Sequence, residues 1–125
     1  MSPIEVKYHK KFLKEKRKLS KKCSTFDNDF KRFVKALITD IKYNDFKVPT
    51  NIKKYSKISG LDKRVSLPAF VAKKFYCEGM NRGSDSGYRF TFIFDSSENL
   101  IYFVQIYFKG NQEIEDLDRI NNLFK

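Results

Sequence analysis

Gly87-Tyr88-Arg89-Phe90-Thr91-Phe92-Ile93-Phe94 and Leu100-Ile101-Tyr102-Phe103-Val104-Gln105-Ile106-Tyr107-Phe108-Lys109 flank the polar run Asp95-Ser96-Ser97-Glu98-Asn99. β-Branched and aromatic residues fill both segments and turn-formers separate them, which predicts a β-hairpin. Side chains alternate between the two faces of a strand. Tyr88, Phe90, Phe92 and Phe94 therefore share one face, opposite Arg89, Thr91, Ile93 and Asp95. On the second strand Leu100, Tyr102, Val104, Ile106 and Phe108 oppose Ile101, Phe103, Gln105, Tyr107 and Lys109. The first set on each strand makes the better core face. Arg89, Tyr107 and Lys109 are then expected to project from the other side of the sheet.

Working outward, Ile4-Glu5-Val6-Lys7-Tyr8 alternates and predicts a short strand. His9 to Lys22 reads as a helix with Phe12, Leu13 and Leu19 on its apolar face. Ser24 or Thr25 should cap a second helix, with Asp27 and Asp29 in the first turn, where negative charge is favoured. Phe26, Phe30, Phe33, Val34, Leu37, Ile38 and Ile41 follow its helical spacing. Lys42 to Leu67 is less regular, and Ile52-Lys53-Lys54-Tyr55 is expected to form a turn of helix. A strand is expected from Phe70 to Cys77, then a glycine loop through Arg82 and Asp85. An acidic helix from Glu113 to Phe124 closes the chain. The order is β-α-α-β-β-β-α, with the first strand returning to the sheet. The expected fold is α+β: a small, mainly antiparallel four-stranded sheet, two N-terminal helices packed on one face, and a C-terminal helix.

A chain of 125 residues suits a single domain, residues 1–125, with a core built largely from 13 Phe and 7 Tyr. No apolar run reaches the roughly 18 residues of a membrane span, and no signal-peptide segment opens the chain. Cys23 and Cys77 have neither metal-ligand spacing nor the pattern of a disulfide framework. Both are expected to be unpaired, Cys77 as a small buried hydrophobe alternating with Phe75, in keeping with a reducing, cytoplasmic setting.

The net charge is +11, and residues 1–64 hold 19 of the 26 basic residues. Such a field favours polyanions. Lys14, Lys18 and Lys21 on the first helix, with Lys73, Tyr76 and Arg82, are candidate contacts to such a partner, whether RNA, DNA, an acidic protein or an anionic membrane, the tyrosine by stacking on a nucleic-acid base. His9, the single histidine, reads as a surface residue rather than a base. There is no His-Glu-x-x-His, P-loop or Gly-x-Ser-x-Gly motif, so neither metal hydrolysis, nucleotide chemistry nor serine catalysis has a carrier.

Taken in order, Lys73-Lys74-Phe75, Ser86-Gly87-Tyr88-Arg89, Ile106-Tyr107-Phe108-Lys109-Gly110, Gln112-Glu113-Ile114-Glu115-Asp116 and Arg119-Ile120 span much of the chain. In these segments, and in its order of elements, the chain resembles the RelE/HigB-like toxins of toxin–antitoxin systems. That resemblance implies a RelE-like fold and a metal-independent endoribonuclease that cuts messenger RNA, commonly within the ribosome. The ribose 2′-hydroxyl attacks the adjacent phosphate in such enzymes. It also implies a cognate antitoxin as partner, with neither a membrane nor a small-molecule cofactor involved. Arg89 matches the family's phosphate-holding arginine, Lys109 its strand-end lysine and Lys74 a basic position on the preceding strand. The chain departs from the pattern near Tyr76, and in the glycine loop at Asp85, where many relatives carry a basic residue.

In-line cleavage needs removal of the 2′-proton, stabilisation of a dianionic phosphorane and protonation of the leaving 5′-oxygen. The Arg89 fork suits the second task. Lys74, Lys109 and Tyr107 are the candidates for the proton transfers. Two other expectations stand beside this one: a ParE-like protein that binds gyrase, and a basic RNA-binding module without chemistry.

Overall fold

The hairpin forms, with its arms at Tyr88–Asp95 (β4) and Leu100–Phe108 (β5). Asp95 Oδ1 accepts from the backbone N–H groups of Ser97 and Glu98 at 3.1 and 3.2 Å, and Asn99 takes the left-handed conformation that closes the turn. The structure, a computed structural model, describes residues 3–80, 86–111 and 115–124. Before the hairpin come β1 (Glu5–Tyr8), α1 (Lys10–Lys22), α2 (Phe26–Lys42), β2 (Tyr55–Lys57) and β3 (Ala69–Ala72); α3 (Leu117–Asn122) follows it. The fold is α+β.

The sheet has five strands rather than four, in the order β1-β5-β4-β3-β2. It is mixed, because β1 runs parallel to β5 while every other pair is antiparallel. The added strand, β2, begins at Tyr55, the last residue of the expected helical turn. Tyr55 explains the difference. Its ring is buried and its hydroxyl donates to Asp40 Oδ2 at 2.6 Å, which fixes this segment against α2 in extended form.

Alternation holds along β4 but breaks on β5. Thr91 pairs with Gln105 and Phe92 with Phe103, so Val104 is an extra residue, a β-bulge. The bulge switches the faces. Ile101, Phe103 and Ile106 join Phe90, Phe92 and Phe94 in the main core, whereas Tyr102 and Val104 go to the opposite side. The core face expected for Leu100, Tyr102 and Val104 is therefore corrected.

Both faces of the sheet are covered. α1 and α2 pack Phe12, Leu19, Phe26, Phe30, Leu37 and Ile41 on one side. On the other, Ile58, Leu61, Val65, Leu67, Leu117 and Ile120 close over Ala69, Ile93 and Val104. The second face is not the open platform that a two-layer reading implied.

Three further expectations are corrected. The strand expected to reach Cys77 ends at Ala72, because the chain turns away to reach the start of α2: Glu78 N–H donates to Asp29 Oδ2 at 3.0 Å and Gly79 N–H to Thr25 Oγ1 at 2.8 Å. Cys77 is not a free thiol there but is bonded to Cys23, with Cα atoms 6.3 Å apart. The C-terminal helix is also short. Asp116 caps it by accepting from Arg119 N–H at 3.0 Å, so Glu115 and Asp116 precede the helix. Residues 112–114 lie outside the described residues.

Candidate functional site

Arg89 and Tyr107 are direct cross-strand partners on β4 and β5. The side chain of Arg89 is half-buried and its Nε, enclosed, has no hydrogen-bond partner among the described residues. Tyr107 is only 5% exposed, so it does not project as the alternation suggested. Its hydroxyl donates to Glu115 Oε1 at 3.3 Å. Burial, with the Glu115 charge second, raises its pKa above that of an ordinary tyrosine, while Arg89 pulls the other way. Tyr107 is thus held protonated near neutral pH and can donate a proton but not accept one.

The ends of the hairpin are fixed by glycines around one ring. Gly87 has φ +89, and a Cβ there would stand 2.6 Å from Phe108 Cε1. A Cβ on Gly110 would also run into the Phe108 ring. The Tyr88 ring packs on Phe108 with centroids 5.0 Å apart. Lys109 N–H donates to the Gly87 carbonyl at 3.0 Å, which ties Lys109 to the turn that introduces Arg89. Lys109 is exposed, in a 3-10 turn just past β5. The glycine-flanked segments singled out in the sequence thus meet at one end of the hairpin.

A groove of about 250 Å³ runs beside this end, lined by Lys18 and Lys22 of α1 and by Tyr88, Tyr107 and Phe108. Glu15 lines it too, accepting from Ile106 N–H at 3.0 Å while paired to Arg119 through both carboxylate oxygens. Of the helix lysines singled out from sequence, Lys18 is brought to the groove. Lys14 and Lys21 are exposed on α1 outside its lining.

Other candidates are placed elsewhere. Lys74 and Tyr76 line a separate pocket of about 220 Å³ with Arg32, Phe33, Lys54 and Tyr55, on the α2 side of the sheet. Tyr76 is 43% exposed and available for stacking. Lys73 is half-buried, its N–H donating to the Lys54 carbonyl at 2.8 Å. The structure does not bring Lys74 together with Arg89 and Tyr107. Arg82 lies outside the described residues.

Lys22, Glu15 and Glu115 were not singled out as site residues. For Glu15 a signal existed: it is the one acid in α1, and it follows Phe12 by three residues and precedes Leu19 by four, on the apolar face. Among the described residues, the group able to hold a metal ion is Cys23, Asp29 and Cys77, outside this groove. No helix among the described residues is long and apolar enough to cross a membrane. Compared with protein-family models, with curated proteins and with solved structures, the chain matches none.

Proposed function

We propose that the chain is the toxin of a toxin–antitoxin pair, a RelE-like endoribonuclease that cuts messenger RNA without a metal and so blocks translation at the ribosome. The observation that carries the reading is the pairing of Arg89 with Tyr107 beside a lysine-lined groove. Arg89 has a planar fork for two phosphate oxygens and a buried Nε with no partner among the described residues. An anion at that position would satisfy it.

In this mechanism the substrate 2′-oxygen attacks the phosphorus, and Arg89 stabilises the dianionic phosphorane. Glu115, the carboxylate bound to the Tyr107 hydroxyl, takes up the 2′-proton. Tyr107 gives its proton to the departing 5′-oxygen. The products are a 2′,3′-cyclic phosphate and a 5′-hydroxyl, and the proton on Glu115 returns to Tyr107 along their hydrogen bond. Lys109, tied to the turn that introduces Arg89, adds its charge to the phosphorane, while Lys18 and Lys22 in the groove hold flanking phosphates.

The test is induction in cells with mapping of transcript 5′ ends. New ends on messenger RNA are expected, and Arg89→Lys, which keeps the charge but loses the fork, should remove them. Intact transcripts together with stalled replication would overturn the reading in favour of gyrase binding. One observation favours a second reading, a basic RNA-binding module without chemistry: Tyr107 is almost enclosed. RNA retained by the protein but never cut, on ribosomes or off them, would establish it.

A further inference from the structure

Three segments meet at the start of α2, away from the groove. Cys23 closes α1, Asp29 sits in the first turn of α2, and Cys77 ends the run that follows β3. Their ligand atoms all lie within 4.8 Å of one another, and all three residues are buried. Cys23 Sγ is 3.7 Å from Asp29 Oδ2. Sulfur and oxygen ligands on a tetrahedral zinc ion stand roughly 3.5 Å apart, given Zn–S and Zn–O lengths of about 2.3 and 2.0 Å. Thr25 Oγ1 stands 3.9 Å from Cys23 Sγ and 4.0 Å from Cys77 Sγ.

The cluster is held together by more than the bond between its sulfurs. Glu78 N–H donates to Asp29 Oδ2 at 3.0 Å, and Gly79 N–H to Thr25 Oγ1 at 2.8 Å. Gly79 approaches so closely that a Cβ there would lie 2.5 Å from Ser24 Oγ. Arg32 pairs with Asp29 and reaches Glu78 at 3.5 Å. Breaking the sulfur–sulfur bond therefore leaves two thiols facing a buried carboxylate in a framework that still stands. A Cα separation of 6.3 Å lets the sulfurs part by side-chain rotation.

We propose that the reduced form of this cluster is a zinc site. The Cys23 and Cys77 thiolates and the Asp29 carboxylate are its protein ligands, and a water held by Thr25 completes the tetrahedron. A dithiol reductant supplies two electrons and two protons to the Cys23–Cys77 bond and closes to its own disulfide. Zn²⁺ then displaces both thiol protons to solvent. Two thiolates select zinc over magnesium or calcium. The three anionic ligands face the dication and Arg32, whose charge they share with the exposed Glu78 carboxylate. Thr25 Oγ1 donates to Asp29 Oδ2, and with the bonds from Glu78 N–H and Arg32 it orients Asp29 as outer partners orient metal ligands. The chain thus carries one staple between the α1–α2 junction and the run before β4, made of sulfur when oxidised and of zinc when reduced.

The test uses the whole chain, reduced with dithiothreitol, desalted without oxygen and titrated with Co²⁺ as a spectroscopic stand-in for zinc. One equivalent should give the visible bands of tetrahedral cobalt and a thiolate-to-cobalt band in the near ultraviolet, both bleached by Zn²⁺. The oxidised protein should give neither. Thr25→Val, which keeps all three ligands, should weaken binding by about 10- to 100-fold. Cys77→Ser and Cys23→Ser should each weaken the thiolate band. A reduced, folded protein without that band overturns the proposal. So does a band unchanged in both serine variants, or a reduced chain that stays unfolded with Co²⁺ present.

Discussion

Arg89 was readable from the sequence because strand alternation put it out of phase with Phe90 and Phe92, and that phase holds in β4. Tyr107 was placed on the same face correctly, but its enclosure could not be read, since Glu115 arrives from a segment beyond the strand. The glycines had no role in the sequence reading beyond marking loops; around the Phe108 ring they decide where Arg89 and Lys109 sit. His9 was read as a surface residue, and the structure gives it a task. Its Nδ1 accepts the Lys11 N–H at 3.0 Å, the position a serine or aspartate commonly fills at a helix start. Burial first, then the charges of Arg119, Lys11 and Lys10, lower its pKa below the ordinary 6.5 against an opposing pull from Glu15. The folded state therefore binds this proton less readily than the unfolded chain does. Stabilisation from the neutral cap is complete above about pH 6.5 and is lost as pH falls through the lowered folded value. Thermal melts between about pH 7 and pH 5 should show a steeper decline for the natural chain than for His9→Ser, which keeps a capping oxygen but does not titrate. Parallel curves would mean that solvent takes over the cap when the ring is charged.

Apart from β2, helix and strand identities followed from periodicity, yet the acids on the helices were read too simply. Asp29 was assigned to the α2 dipole, whereas it is 2% exposed and anchors the turn after β3. Asp40 receives the Tyr55 hydroxyl and the Lys54 ammonium, the latter at 2.9 Å. Burial and this carboxylate together push the Tyr55 pKa upward. Glu15 joins α1 to α3 through Arg119 and also accepts the Ile106 N–H. Arg119 Nη1 donates to the Val104 carbonyl at 2.7 Å. The pair serves the part of β5 that β1, ending at Tyr8, does not reach. An acid on an apolar helical face is the legible sign of such a link; its partner, separated from Glu15 by 104 residues, is not. Glu15→Ala would strip a nearly buried guanidinium, only 10% exposed, of its two-oxygen partner, leaving it Asp116 at 3.4 Å and the Val104 carbonyl, and would leave the Ile106 N–H unsatisfied. A loss of about 3 kcal/mol is expected in urea denaturation. A change below about 1 kcal/mol would show that water replaces the carboxylate. The bulge at Val104 escaped prediction for a related reason: Gln105 turns to the α3 side, where its Oε1 accepts from Thr91 Oγ1 and from Asp116 N–H at 3.2 and 2.8 Å. That tertiary demand overrides strict alternation.

At the scale of the molecule, the bulk of the charge and the proposed site lie apart. Basic residues concentrate in residues 1–64, while Arg89 and Lys109 sit at the end of the hairpin. Affinity for RNA should follow the lysines collectively, because each neutralised phosphate releases counterions. Replacing Lys14, Lys18 and Lys21 by Gln should weaken RNA binding and flatten its salt dependence. Lys109→Ala should keep most of the affinity and lose most of the cutting. Binding across a salt series with cleavage assayed in parallel checks both halves, and equal loss of the two in Lys109→Ala would reduce that lysine to one phosphate contact among many. The parallel pairing of β1 with β5 has one more consequence, for the order in which the chain takes shape during synthesis. Glu5 lies beside Leu100, and Tyr8 beside Phe103. When α1 and α2 leave the ribosome, the rings that cover Phe12 and Phe30, Phe90 and Phe103 among them, have yet to be made. The first strand waits, unpaired, for nearly the whole chain. A nascent chain cut short before Leu100 has no partner for β1 and no second arm for the hairpin, so it cannot assemble the Arg89–Tyr107 pair at all. Whatever the Arg89–Tyr107 pair does must therefore wait until the second arm of the hairpin has been made.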